Sequence, residues 1–199
     1  GYQLQGINAL NPDIWHKQYT RCFGLFDEAI THLLLKEDST QVAHLLNLLT
    51  QFRLNSADKL KAVLWQVHNL TLQAQYQQAF NTELTVVGAI FPEVDLDNIK
   101  QTYLQCEADY PTSAIIDLAH RPFCDESLHL HHCQLLSLLI NAAKELSIVP
   151  LMQVLAVAIK LSLLRGNSTY AAQFFAQHAL ILARVYQQYE SAFAFVNVA

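Results

Sequence analysis

The ten residues CDESLHLHHC, 124–133, hold the densest set of chemically capable side chains in the sequence. On a helix His129 shares a face with Cys133 four residues on and with His132 three residues on, and Asp125 lies one turn before it. Imidazole nitrogen and thiolate sulfur are both zinc ligands, so His129, His132 and Cys133 are the candidates for a metal site. A structural zinc site takes four ligands, and a single helix supplies only part of a tetrahedral shell. His120 is the nearest spare imidazole, at no recognisable ligand spacing, and His131 falls on a different face. The alternative is a polar, half-exposed helix start with Cys133 in the core. That reading is adopted, so neither a metal ligand nor a cofactor is assigned.

Catalytic patterns are missing elsewhere. There is no G-x-S-x-G elbow, no Ser with a positioned His and Asp, and no P-loop. Arg165-Gly166-Asn167-Ser168 contains a lone glycine, which cannot cradle a triphosphate; it reads as a Gly C-cap followed by an Asn or Ser N-cap. Asp27-Glu28 and Glu37-Asp38 read as solvated helix surface, and His16, His32, His44 and His68 are scattered over three helices. The expectation is a non-enzymatic segment.

The elements that would carry these residues are helices throughout. Pro12 opens a long helix to Lys36 with Trp15, Tyr19, Cys22, Phe26, Ala29 and Leu33 inward, and a second runs from Thr40 to Phe52 with Val42, Leu45, Leu46, Leu49 and Phe52 inward. From Asn55 to Pro92 two helices are expected on either side of Gln75. The first, capped by Asn55 or Ser56, carries Leu60, Val63, Leu64, Val67, Leu70 and Ala74 on one face; the second carries Tyr76, Ala79, Phe80, Leu84, Val87 and Phe91 and stops at Pro92. A short helix with Ile99, Tyr103 and Cys106 inward, another turn or two at 112–120, and a helix from the cap Asp125 to about Leu146 follow. The stretch 151–164, LMQVLAVAIKLSLL, is apolar nearly all round and should be the most buried helix, with Pro150 in its first turn. Tyr170, Phe174, Ala179, Leu182 and Tyr186 point inward in the next helix, and a final one begins at Tyr189.

Composition bounds the function. The chain of 199 residues is 52% hydrophobic and 15% charged, with five Gly and five Pro, which suits a large helical core and disfavours an all-β fold. A formal charge of −5 with 12 Lys plus Arg and no basic run argues against nucleic acid. The apolar region Leu135–Leu164 is interrupted by Asn141, Lys144, Glu145, Pro150 and Lys160, so buried helices are expected rather than membrane insertion. No secretory signal is recognisable, and Cys22, Cys106, Cys124 and Cys133 are widely spaced, as for reduced thiols in a cytoplasmic protein. The missing initiator Met and the apolar end FAFVNVA lead to the expectation of a piece of a longer, multidomain protein.

A degenerate internal repeat runs through the chain. A-Q-Y-Q-Q-A-F at 74–80 returns as Q-Q-Y-E-S-A-F at 187–193, and more weakly as D-S-T-Q-V at 38–42, with Val42 in the place of Ala79 and Ala192. Val42 and Ala79 are 37 residues apart, and Ala79 and Ala192 are 113 apart, close to three such units. Tetratricopeptide (TPR) repeats have a period of about 34 residues. The expected fold is all-α, a right-handed α-α superhelix of TPR-like stacked helical hairpins, as one domain over 1–199 with a weak internal break near 93–124.

Several features along the chain resemble the TPR-like helical region that follows the AAA/STAND-type ATPase in large bacterial signalling proteins. They are Trp15 and Tyr19, Glu28-Ala29, Leu34-Leu35, Ala57-Asp58-Lys59, Gln75-Tyr76-Gln77-Gln78-Ala79, the Gly88 to Pro92 ending, Leu118, Pro122 and Asp125, Leu161-Ser162-Leu163 with Gly166-Asn167-Ser168, and Tyr189-Glu190-Ser191. Arg165 stands where an aromatic is common, and 93–117 matches poorly. Such hybrids join a serine/threonine-kinase-like domain and an ATPase to a sensor histidine kinase or another output domain. The resemblance implies a cytoplasmic scaffold or regulatory relay that binds other domains of the same polypeptide, partner proteins or itself. A ligand- or metal-sensing domain and the sensor arm of a STAND-type transcription regulator are the alternatives.

Overall fold

In a computed structural model, residues 2–90 and 115–199 are described. Among them every regular element is helical, and the only extended pairing is an isolated parallel bridge between Phe123 and Asn167. The chain divides into two compact units, Gly1–Gln75 and Tyr76–Ala199. The expected stop at Pro92, the helix carrying Ile99, Tyr103 and Cys106, and most of the expected break at 93–124 lie outside the described residues.

The first unit holds α1 (Tyr2–Asn8), α2 (Pro12–Lys17), α3 (Tyr19–Leu35), α4 (Ser39–Leu49) and α5 (Ser56–Leu72). Against α3 pack α1, α2, α4 and α5, and α4 also packs on α5. The expected helix from Pro12 to Lys36 is broken at Gln18, whose backbone leaves the helical region at φ −133° and ψ 39°. Tertiary contacts account for the break. The Trp15 ring stacks on Phe52 at 4.3 Å and its indole N–H donates to the Arg53 carbonyl at 3.2 Å. Tyr19, one turn on, donates its hydroxyl to the Asp58 carboxylate at 2.5 Å and accepts the Asn55 N–H at 3.2 Å. Asn55 caps α5 as expected, its Oδ1 accepting the Asp58 N–H at 2.8 Å, and Asp38 caps α4 through the Gln41 N–H at 3.2 Å. The helix α1 carries no sequence signal strong enough to have been expected.

The second unit holds α6 (Tyr76–Ile90), a 3₁₀ turn (Ile116–His120), α7 (Ser127–Leu146), α8 (Ile148–Arg165), α9 (Ala171–Ile181), a single π-helical turn (Leu182–Tyr186) and α10 (Tyr189–Val198). Here α7 packs on α6 and α8, and α9 packs on α8 and α10. By length and mean hydropathy α8 could cross a bilayer, but 61% of it is buried. It is a core helix, with Pro150 in its first turn as the periodicity predicts. The helix after Pro122 starts later than expected: Glu126, not Asp125, precedes its first turn, and no side chain caps it.

Three joints share one backbone geometry. Glu37, Ala74 and Gln187 are the non-glycine residues with positive φ among the described residues, at 56°, 56° and 57°. Each lies two residues before the first residue of a helix (Ser39, Tyr76 and Tyr189), and five residues before a buried small side chain, Val42, Ala79 or Ala192. The residue after each returns its N–H to the preceding helix: Asp38 to Leu33 at 3.0 Å, Gln75 to Leu70 at 2.9 Å, Gln188 to Leu182 at 3.0 Å. These are Schellman-type ends, widened by the π turn in the third, and their left-handed residue is normally glycine. The repeat visible in the sequence is therefore a repeat of the joint. Ala74→Gly is expected to raise the stability of the first unit in urea titration by about 0.5–1 kcal/mol, because relief of the left-handed strain exceeds glycine's extra chain entropy.

Candidate functional site

The helical register of α7 does bring His129 and Cys133 together, with Nε2 and Sγ 3.6 Å apart. Asp125, Glu126 and Ser127 are exposed and Cys133 lies in the core, as expected, but His129 is fully buried and His132 nearly so, so the half-exposed stretch ends within the first turn. The physical reason is packing from elsewhere in the chain: α7 lies against α6 and α8, and Ser168, just past α8, hydrogen-bonds Cys133. Among the described residues no group of three or more His, Cys, Asp or Glu side chains could hold a metal ion. Asp125 and His120 are both exposed.

Burial favours the uncharged forms of the His129–Cys133 pair. Burial, reinforced by the Arg165 charge and neighbouring imidazoles, pushes His132 down to about 4. Burial and Arg165 lower His129 as well, against a smaller opposing effect of Glu126. Burial pushes the Cys133 thiol up to about 11, although the Ser168 hydrogen bond pulls the other way. At pH 7 both partners are neutral. A nucleophilic cysteine needs the reverse, a thiolate held by an imidazolium or another positive group.

Around this pair the chain closes a clasp. The segment 118–124, from the end of the 3₁₀ turn, meets 163–168, from the end of α8: Cys124 N–H donates to Asn167 O at 2.8 Å, Asn167 N–H to Pro122 O at 3.0 Å, and the Asn167 side-chain amide to Leu118 O at 2.7 Å. Arg121 donates to the Leu163 carbonyl. Gly166 ends α8 as expected, but at φ 100° and ψ 176° rather than in the left-handed helical region. Ser168 accepts the Tyr170 N–H at 3.2 Å, a turn just ahead of α9 rather than its N-cap.

A second feature was not legible as a site. Along α4 and α5 of the first unit runs an open groove of about 640 Å³. Val63 and Leu70, expected in the core with Leu60, Leu64 and Val67, are only half-buried and line it. The sequence carries one signal for it, an apolar stripe on α5 wide enough to face two ways. No family profile, no curated protein and no solved structure matches the chain.

Proposed function

We propose that this chain is a non-enzymatic helical interaction module, a TPR-like scaffold or regulatory relay within a cytoplasmic bacterial signalling polypeptide of the kinase–ATPase–sensor type. One observation carries the reading. Helix α10 is apolar on two faces: Ala192 and Phe195 hold it to its unit, while Tyr189, Phe193 and Val196 are 67%, 68% and 57% exposed. Their spacing of four and then three residues puts them in one stripe on the solvent side. Contiguous exposed aromatic and aliphatic side chains mark surfaces that another protein covers. The His129–Cys133 pair, in which burial favours the uncharged form of both groups, is in keeping with binding rather than catalysis.

The partner in this reading is a neighbouring domain of the same polypeptide. Binding of the 199-residue chain to the domains that flank it in its parent protein, measured by calorimetry, is expected to weaken at least tenfold in Phe193→Glu, as for an aromatic anchor worth about 2 kcal/mol. Equal binding by the variant, or none by the wild type, would sink the proposal.

A further inference from the structure

We infer that the α4–α5 groove is a binding site for a long-chain carboxylate, with the acyl chain lying along the helices and the carboxylate at Arg53 and Lys59. The groove is walled by Leu46, Leu49, Phe52, Leu54, Val63 and Leu70. Because the two helices are joined by a short loop and Asn69 reaches back to the Ser39 carbonyl at 3.3 Å, they run antiparallel. One end of the groove is therefore the loop end, and both of its cations, Arg53 and Lys59, belong there. Neither forms an ion pair with a described residue, and no Asp or Glu lines the groove. In a chain of net charge −5, an apolar trench with positive charge gathered at one end complements an anionic head on an apolar tail.

Length and the one-ended charge select the occupant. Along α5 the lining runs from Lys59 to Gln73, roughly 21 Å at the helical rise, room for an extended acyl chain to lie along the helices. Its single anionic group then meets the cations at the loop end, and no second charged side chain lines the remainder of the groove.

The test is calorimetric titration of the full 199-residue chain with octanoate, decanoate and dodecanoate, each below its micelle-forming concentration. Binding is expected to tighten about fourfold for each methylene taken into the groove. Dodecanol is expected to bind at least tenfold more weakly than dodecanoate. In Arg53→Gln/Lys59→Gln, two exposed positions whose replacement leaves the core alone, that preference should vanish while dodecanol binding is unchanged. Ala62→Trp, which fills the groove, should remove binding of both, with circular dichroism reporting an intact fold. Three results would each overturn the assignment: no saturable binding of dodecanoate, equal binding of acid and alcohol by the wild type, or undiminished binding by Ala62→Trp. Saturable binding of an acidic amphipathic peptide without any of dodecanoate would hand the groove to a peptide instead.

Discussion

Lowering the pH from 7 to 4.5 is expected to remove about 5 kcal/mol from the stability of the unit Tyr76–Ala199. Two buried imidazoles drive the loss. Burial depresses His178, packed edge-on against Phe195 at 4.5 Å, to about 3, and His132 lies at about 4. Both would titrate near 6.5 once unfolded. Between these values the unfolded chain binds protons that the folded chain refuses, so stability is complete above about pH 6.5 and falls as the pH drops toward 4 and then 3. Two groups contribute about 2.7 kcal/mol per pH unit together in the window between 6 and 4.5. A total near 5 kcal/mol is comparable to the whole stability of many domains. Hydrogen exchange of the buried α8 amides should report it, since both tryptophans, Trp15 and Trp65, lie in the other unit. His178→Leu should roughly halve the slope, and adding His132→Leu should leave only the part that His129, also depressed by burial, contributes. Protection in α8 that is equal at pH 7 and 4.5 would remove the imidazoles from the explanation.

Gly166→Ala is expected to destabilise the same unit by about 3–5 kcal/mol. The backbone conformation at Gly166 belongs to a region that L-residues hardly enter, at about 1–3 kcal/mol of strain. An added Cβ would also stand 2.5 Å from the Pro122 carbonyl oxygen, a backbone atom that cannot swing aside. Relieving that clash separates the two segments, and with them the bonds from Asn167 to Pro122 and Leu118 and from Cys124 to Asn167, each worth about 1 kcal/mol. Gly24 is the contrast. It sits inside α3, and a Cβ there meets nothing within 4 Å. Gly24→Ala should therefore stabilise its unit by about 0.5–1 kcal/mol through helix propensity alone. Urea titrations of the two variants should move in opposite directions; a shared direction would show that the glycine conformations are not what separates them.

What the sequence makes legible is local. Asn55 as a cap, Pro150 in a first turn, Gly166 at a helix end and the burial of α8 follow from residue type and periodicity over one or two turns. The break at Gln18 does not, because no proline or glycine marks it; Phe52 and Arg53, more than thirty residues away, hold Trp15 on the far side of it. Burial of His129 and His132 is illegible for a similar reason, since it comes from α7 packing on α6 and α8, elements outside its own stretch of sequence. The groove escaped because periodicity reports that Val63 and Leu70 are apolar, and is silent on whether anything covers them. The three joints are visible only as a faint recurrence, with Tyr and Ala at two of them and Val42 in the place of Ala at the third. Their common backbone geometry has no glycine to announce it.

The clasp also has a kinetic meaning. Its bonds join residues 42 to 49 positions apart, whereas the bonds within α7, α8 and α9 span four. Helical turns form in well under a microsecond, but an interaction that must close so long a stretch of chain bears its loop entropy before any reward arrives. The clasp is thus expected to close only after the helices it joins have formed, the last step in folding of this unit.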